Sequence, residues 1–157
     1  ALLSHSTASD AGEAAMKIGP DRYPPFRLVI ADDERVLEIV SDGLTIRRED
    51  DRTTSIPCMF ASSGLGDRLV EPPRRELFDE MMKHTRGADL LETQDRFHRH
   101  VWPDRPHLSV CMSRSEAWTV SMTTIDVESD RVTLTYRPGQ PNLPADSVTL
   151  ELERKSD

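Results

Sequence analysis

Residues 118–137 read Trp118-Thr119-Val120-Ser121-Met122-Thr123-Thr124-Ile125-Asp126-Val127-Glu128-Ser129-Asp130-Arg131-Val132-Thr133-Leu134-Thr135-Tyr136-Arg137. Apolar and polar residues alternate on both sides of Glu128-Ser129-Asp130, so the stretch predicts two strands, Trp118–Val127 and Arg131–Arg137, joined by a hairpin. Ser147–Glu153 carries the clearest alternation, with Val148, Leu150 and Leu152 against Thr149, Glu151 and Glu153. Pro138 to Pro144 is a proline-rich crossing between the last two strands. Leu108–Met112 predicts a further strand ahead of the hairpin.

Outward from this β-rich third lies a helical pair. Pro72 to Arg86 places Leu77, Phe78, Met81 and Met82 in one stripe, with Pro in the first turn, Lys83, His84 and Arg86 in the last, and Gly87 as the stop. Asp89 to Val101 predicts a second helix with Leu90, Phe97 and Val101 inward. Nearer the N-terminus, Ala11, Ala14, Ala15 and Ile18 share one face of a helix over Asp10–Ile18, capped by Ser9 or Asp10 and stopped by Gly19-Pro20. A meander follows: Phe26–Ala31, Arg35–Val40 and Leu44–Arg48, with Asp32-Asp33-Glu34 and Ser41-Asp42-Gly43 as turns and Glu49-Asp50-Asp51 as loop. Ile56–Ala61 has the apolar character and length of a strand. The order β-rich, helical pair, β-rich predicts an α+β fold, helices covering a largely antiparallel sheet, as a single domain over 1–157.

Composition limits function. With 157 residues the chain can bury roughly 68–70% of its unfolded surface and needs no metal or disulfide staple. Twenty basic residues stand against 28 acidic ones, net −8. Nucleic-acid binding is not expected, because phosphate contacts need clustered Lys and Arg. No 18-residue apolar run predicts a membrane span. Cys58 and Cys111 do not make a disulfide framework, so a reduced, cytoplasmic setting is expected. The opening Ala1-Leu2-Leu3-Ser4 reads like the last turn of a helix.

Several residues could carry chemistry. Ser62-Ser63-Gly64-Leu65-Gly66 could present hydroxyls and N–H groups to an oxyanion, or be an ordinary turn. It lacks the glycine two places before serine that a hydrolase elbow needs, and Leu69 stands where a dinucleotide fingerprint has its third glycine. Cys58 and Cys111 sit in apolar segments read as strands, which favours buried structural thiols over nucleophiles. His98 and His100 are about 200° apart on a predicted helix and cannot face one metal together; a zinc site with His107 and Asp95 would require that segment not to be helical, so no metal is expected, and no other cofactor is indicated. The acidic groups lack calcium-loop spacing and read as solvated turns. Ser109, Ser113, Ser115, Thr119, Ser121, Thr123 and Thr124 could line a polar cleft or simply favour strand.

Taken together, four stretches resemble the C-terminal portion of the NRDE family, also called the transport-and-Golgi-organisation family. They are Pro25-Phe26-Arg27-Leu28; Ser62-Ser63-Gly64 ahead of Arg74-Arg75…Phe78; Ser109-Val110-Cys111-Met112-Ser113-Arg114 leading into Thr119-Val120-Ser121; and Leu134-Thr135-Tyr136-Arg137-Pro138-Gly139-Gln140-Pro141. The resemblance implies an N-terminal-nucleophile-hydrolase-like sandwich, two stacked sheets between helical layers (αββα). In that fold an N-terminal Cys, Ser or Thr attacks an amide carbonyl with its own α-amine as base. This sequence departs from the family's pattern: Ala1 is no nucleophile, Asn-Arg-Asp-Glu is absent, and Ser113 stands where many relatives would have His.

The expectation is therefore a chain that starts after the first third of the family's domain. Its parent activity would be amide or acyl cleavage, and alone it would be inactive. Ser62, Ser63 and Arg114 are the candidate substrate contacts, the hydroxyls donating to an oxyanion and Arg114 holding a carboxylate. The alternative is a non-catalytic binding or scaffold protein for an apolar metabolite or a protein partner. A free-standing enzyme using Cys58 or Cys111 is a third reading. A homo-oligomer, or pairing with a missing N-terminal part, would follow from the first reading. That reading predicts a large uncovered apolar face on one sheet.

Overall fold

A computed structural model describes residues 2–87 and 89–154. The fold is α+β, with two antiparallel three-stranded sheets and three α-helices among the described residues. It divides into two compact units, Ala1–Phe60 and Ala61–Asp157.

In the first unit, α1 (Ala8–Ala15) begins two residues before the predicted start. Thr7 is the cap, its Oγ1 accepting the Asp10 N–H at 3.1 Å, while Asp32 Oδ2 accepts the Ala8 N–H at 2.7 Å. Two acceptors for otherwise orphaned amides set the helix start there. Past Ala15 the chain tightens into three-residue spacing, with Lys17 N–H on Ala14 O and Ile18 N–H on Ala15 O. Ala8, Ala11, Gly12 and Ala15 are buried. A Cβ on Gly12 would lie 2.8 Å from Leu37 Cδ1, so the small side lets the helix close on the sheet.

That sheet has the order β1 (Phe26–Ala31), β2 (Arg35–Ser41), β3 (Ile46–Thr53). Central β2 is buried from Val36 through Ile39. The predicted loop Glu49-Asp50-Asp51 is instead strand, since β3 runs on to Thr53. Pairing with β2 supplies backbone partners, and arginines answer the carboxylates: Arg35 and Arg48 lie 3.5 and 3.7 Å from Asp51, and Arg52 pairs with Asp50. Opposite charges on one strand face outweigh the low strand preference of Asp and Glu. Residues 56–60 form no strand, contrary to the prediction; Pro57 has no N–H to give a ladder and Ile56 is exposed.

In the second unit, α2 (Asp67–Met82) starts five residues before the predicted Pro72, which with Pro73 lies inside the helix. Gly66 precedes it at φ 91°, a left-handed value that glycine adopts without strain. Val70 and Phe78 point inward. Helix α3 (Asp89–His98) stops three residues short of the predicted Val101 and buries Thr93 and Phe97. The Phe78 and Phe97 rings pack edge-to-face with centroids 5.3 Å apart.

The predicted strand Leu108–Met112 is irregular backbone, and only Ser113↔Trp118 forms an isolated bridge there. Its polar groups are satisfied locally: Cys111 N–H bonds His100 O, and Met112 N–H bonds Thr119 Oγ1. The final sheet has the order β4 (Ser121–Val127), β5 (Arg131–Pro138), β6 (Val148–Glu153), with Glu128-Ser129-Asp130 as the hairpin turn. β4 starts three residues later than predicted.

Candidate functional site

The loop predicted to meet substrate is held by its own atoms. Ser63 Oγ accepts the Leu65 N–H at 3.2 Å, its N–H donates to Asp67 Oδ1 at 3.1 Å, and its carbonyl accepts the Gly66 N–H at 2.9 Å. These contacts lead the chain into α2. Ser62 is exposed. Arg114 lies in the turn closed by Ser113↔Trp118, its N–H donating to Ala117 O at 2.7 Å and its Nε 3.7 Å from Glu116 Oε1. Glu116 is held below the usual carboxylate range, first by the Ser115 hydroxyl, which donates to it at 2.5 Å. Among the described residues no hydrogen bond or ion pair links Ser62 or Ser63 to Arg114.

Neither cysteine is in a strand. Cys111 is buried, its Sγ donating to Asn142 Oδ1 at 3.1 Å, and Cys58 is half-buried. His98 ends α3 and His100 lies beyond it, so the two histidines do not share a helix face. Burial pushes the His98 imidazole below its ordinary value, partly opposed by Asp95. Between α2 and α3 a cleft of about 700 Å³ is lined by Glu80, His84, Asp89, Glu92 and Arg96, with His100 at its edge. Among the described residues no three His, Cys, Asp or Glu side chains are placed to hold a metal ion.

The hydroxyl-rich segment separates by register. Thr124 lines a cavity of about 240 Å³ with Thr133 and Thr135, facing Leu91, Gln94 and Asp95 of α3. Thr123 pairs with Tyr136 on the opposite face. Ser109 and Thr119 hydroxyls accept the Trp102 and Met112 N–H groups and serve the loop.

That opposite face is apolar. Cross-strand rows Thr123–Tyr136–Val148, Ile125–Leu134–Leu150 and Val127–Val132–Leu152 carry no charge. Ile125, Val127, Tyr136, Val148, Leu150 and Leu152 are exposed by 43–68%. This amounts to roughly 600 Å² of apolar surface, the upper end of what a monomer ordinarily shows. The alternation was legible in the sequence; that nothing among the described residues covers the face was not.

The first unit holds a second apolar surface. A groove of about 900 Å³ runs beside β1, walled by Ile18, Pro24, Pro25, Phe26 and Leu28, with Tyr23 at its lip. No helix among the described residues is long and apolar enough to cross a membrane. Compared with protein-family models, curated proteins and solved structures, the chain matches none of them.

Proposed function

We propose that this chain is the C-terminal part of an NRDE-type, hydrolase-like protein whose parent chemistry is cleavage or transfer at an amide or acyl bond. In this reading its sheets belong to an αββα sandwich, the chain alone is inactive, and Ser62, Ser63 and Arg114 contribute pocket wall. One observation carries the reading. The β4–β5–β6 sheet meets α3 on its threonine face and leaves its uncharged apolar face uncovered, as an inner layer of a sandwich would without its partner sheet.

The test is to read the coding sequence ahead of Ala1, express the extended chain, and compare it with the 157-residue chain. The extension is expected to carry Cys and Asn-Arg-Asp-Glu, to abolish binding of a hydrophobic dye, and to bring hydrolysis of an acyl ester or amide. If no such extension exists and the 157-residue chain is a compact monomer that binds no dye, the reading fails.

A second reading, a non-catalytic module that binds an apolar metabolite or a protein partner, is favoured by the groove beside β1. Saturable binding of an uncharged apolar ligand by the 157-residue chain would support it.

A further inference from the structure

We propose that the groove beside β1 binds a single-chain anionic amphiphile, such as a medium-chain carboxylate, with its tail along the apolar wall and its head group at Arg22. The inference rests on the second reading above and adds the charge of the ligand. Shape comes first. At about 900 Å³ the groove falls within the ~300–1,000 Å³ range of ligand sites. Ile18 from the turn that follows α1, the Pro24-Pro25 corner, and Phe26 and Leu28 of β1 make an apolar wall. Tyr23 stands edge-on to Phe26 with ring centroids 6.4 Å apart, and its largely exposed ring offers an aromatic rim.

Charge then selects the head group. The chain carries 28 acidic residues, yet no carboxylate is among the described residues lining this groove. The ionisable side chains around it, apart from the Tyr23 phenol, are His5, Arg22 and Arg27. Arg27 is answered by Glu38 at 3.1 Å. Arg22 is different: its backbone N–H bonds Gly19 O, but its guanidinium has no hydrogen bond or ion pair among the described residues, and neither has the His5 imidazole. A carboxylate matches the planar fork of a guanidinium and can take a further hydrogen bond from an imidazole. A neutral ligand leaves the Arg22 charge unanswered, and a cationic one is repelled.

The experiment titrates the 157-residue chain with decanoate, 1-decanol and decyltrimethylammonium, reading the backbone amides of Ile18, Tyr23 and Phe26 by NMR. Decanoate is expected to give saturable shifts and to bind about tenfold more tightly than decanol, with the cation weakest. Arg22→Gln should remove that advantage without changing decanol binding, and Arg22→Lys should restore part of it. Equal affinity for decanoate and decanol overturns the anionic head group and leaves the apolar-ligand reading standing. No saturable shift with any of the three overturns both. Shifts that arise with phosphatidylglycerol vesicles and not with decanoate would assign the groove to a membrane surface and equally overturn the proposal.

Discussion

Arg74 and Ser109, 35 positions apart, are joined by a guanidinium Nη2 that donates to the Ser109 carbonyl at 2.5 Å. Arg74 Nε donates to the neighbouring Leu108 carbonyl at 3.0 Å. Ser109 is fully buried, and its own hydroxyl accepts the Trp102 N–H at 2.8 Å. One side chain of α2 thus satisfies two carbonyls of a segment that makes no ladder of its own. Arg74→Met is expected to lower stability by about 2–3 kcal/mol, because both carbonyls lose a charged donor. Arg74→Lys should fall between, since an ammonium cannot reproduce the fork. Urea unfolding of the three proteins is the check; an unchanged midpoint for Arg74→Met would refute this account.

Gly12 tests the packing of α1 on the first sheet. Alanine there would gain roughly 1 kcal/mol in helix propensity. Its Cβ, however, would meet the fully buried Leu37 Cδ1 at 2.8 Å, and overpacking costs about 1–3 kcal/mol. Gly12→Ala is therefore expected to destabilise, by about 1 kcal/mol net. A melting temperature at or above that of the parent chain would show that the helix can move aside.

Asp32 and His98 contribute to the response to acid in different pH windows. Asp32 accepts N–H groups of Ala8, Glu34 and Arg35 at 2.7, 2.9 and 2.8 Å, which hold its carboxyl below the usual carboxylate range. A depressed folded-state pKa means that its contribution is present above about pH 4 and is lost as pH falls through the folded value. His98 is also depressed, by burial, so the fold prefers its neutral form. Stability should fall as pH drops below about 6.5 and level off once pH is under the folded value. Unfolding midpoints measured from pH 8 to pH 2 should show two steps. His98→Gln should remove the upper and Asp32→Asn should shrink the lower, to which the depressed Asp42 and Glu116 carboxyls also contribute; an upper step unchanged by His98→Gln, or a lower one unchanged by Asp32→Asn, would disprove the assignment.

Thiol reactivity separates the cysteine-enzyme reading from the others. Cys111 is 1% exposed and bonded to Asn142, whereas Cys58 is half-buried. Iodoacetamide should label Cys58 first and reach Cys111 only on unfolding. Rapid alkylation of Cys111 in the folded chain would revive the reading that makes it a nucleophile.

The uncovered sheet face predicts self-association or dye binding. Leu150→Thr places a strand-forming, β-branched residue at an exposed position, so stability should change by no more than about 0.5 kcal/mol. Dye fluorescence, and any dimer seen by size-exclusion chromatography, should drop. A loss of stability well above that figure would mean that Leu150 is packed against something in solution.

Much of the architecture was readable from local pattern. The meander from Phe26 to Ser41, the two helices after Gly66, and the hairpin around Glu128-Ser129-Asp130 follow from periodicities that neighbouring residues impose on one another. Element ends were less legible, because their partners are remote: Asp32 meets the start of α1 from the β1–β2 turn, and antiparallel pairing with β2, bulged at Glu49, carries β3 through three acidic residues. Ile56–Ala61 and Leu108–Met112 show the converse, apolar runs that find no strand to pair with.

The sequence by itself determined the α+β class and which residues share a face of β4, β5 and β6, since side-chain alternation in an unbroken strand has a period of two whatever the chain packs against. Only the tertiary structure decided which of those faces is covered. The Thr124, Thr133 and Thr135 face meets α3, the Ile125, Leu134 and Leu150 face does not, and Arg22 lines an apolar groove with no counter-charge among the described residues. Burial is a property of what lies opposite a residue, and that neighbour is rarely near it in the chain.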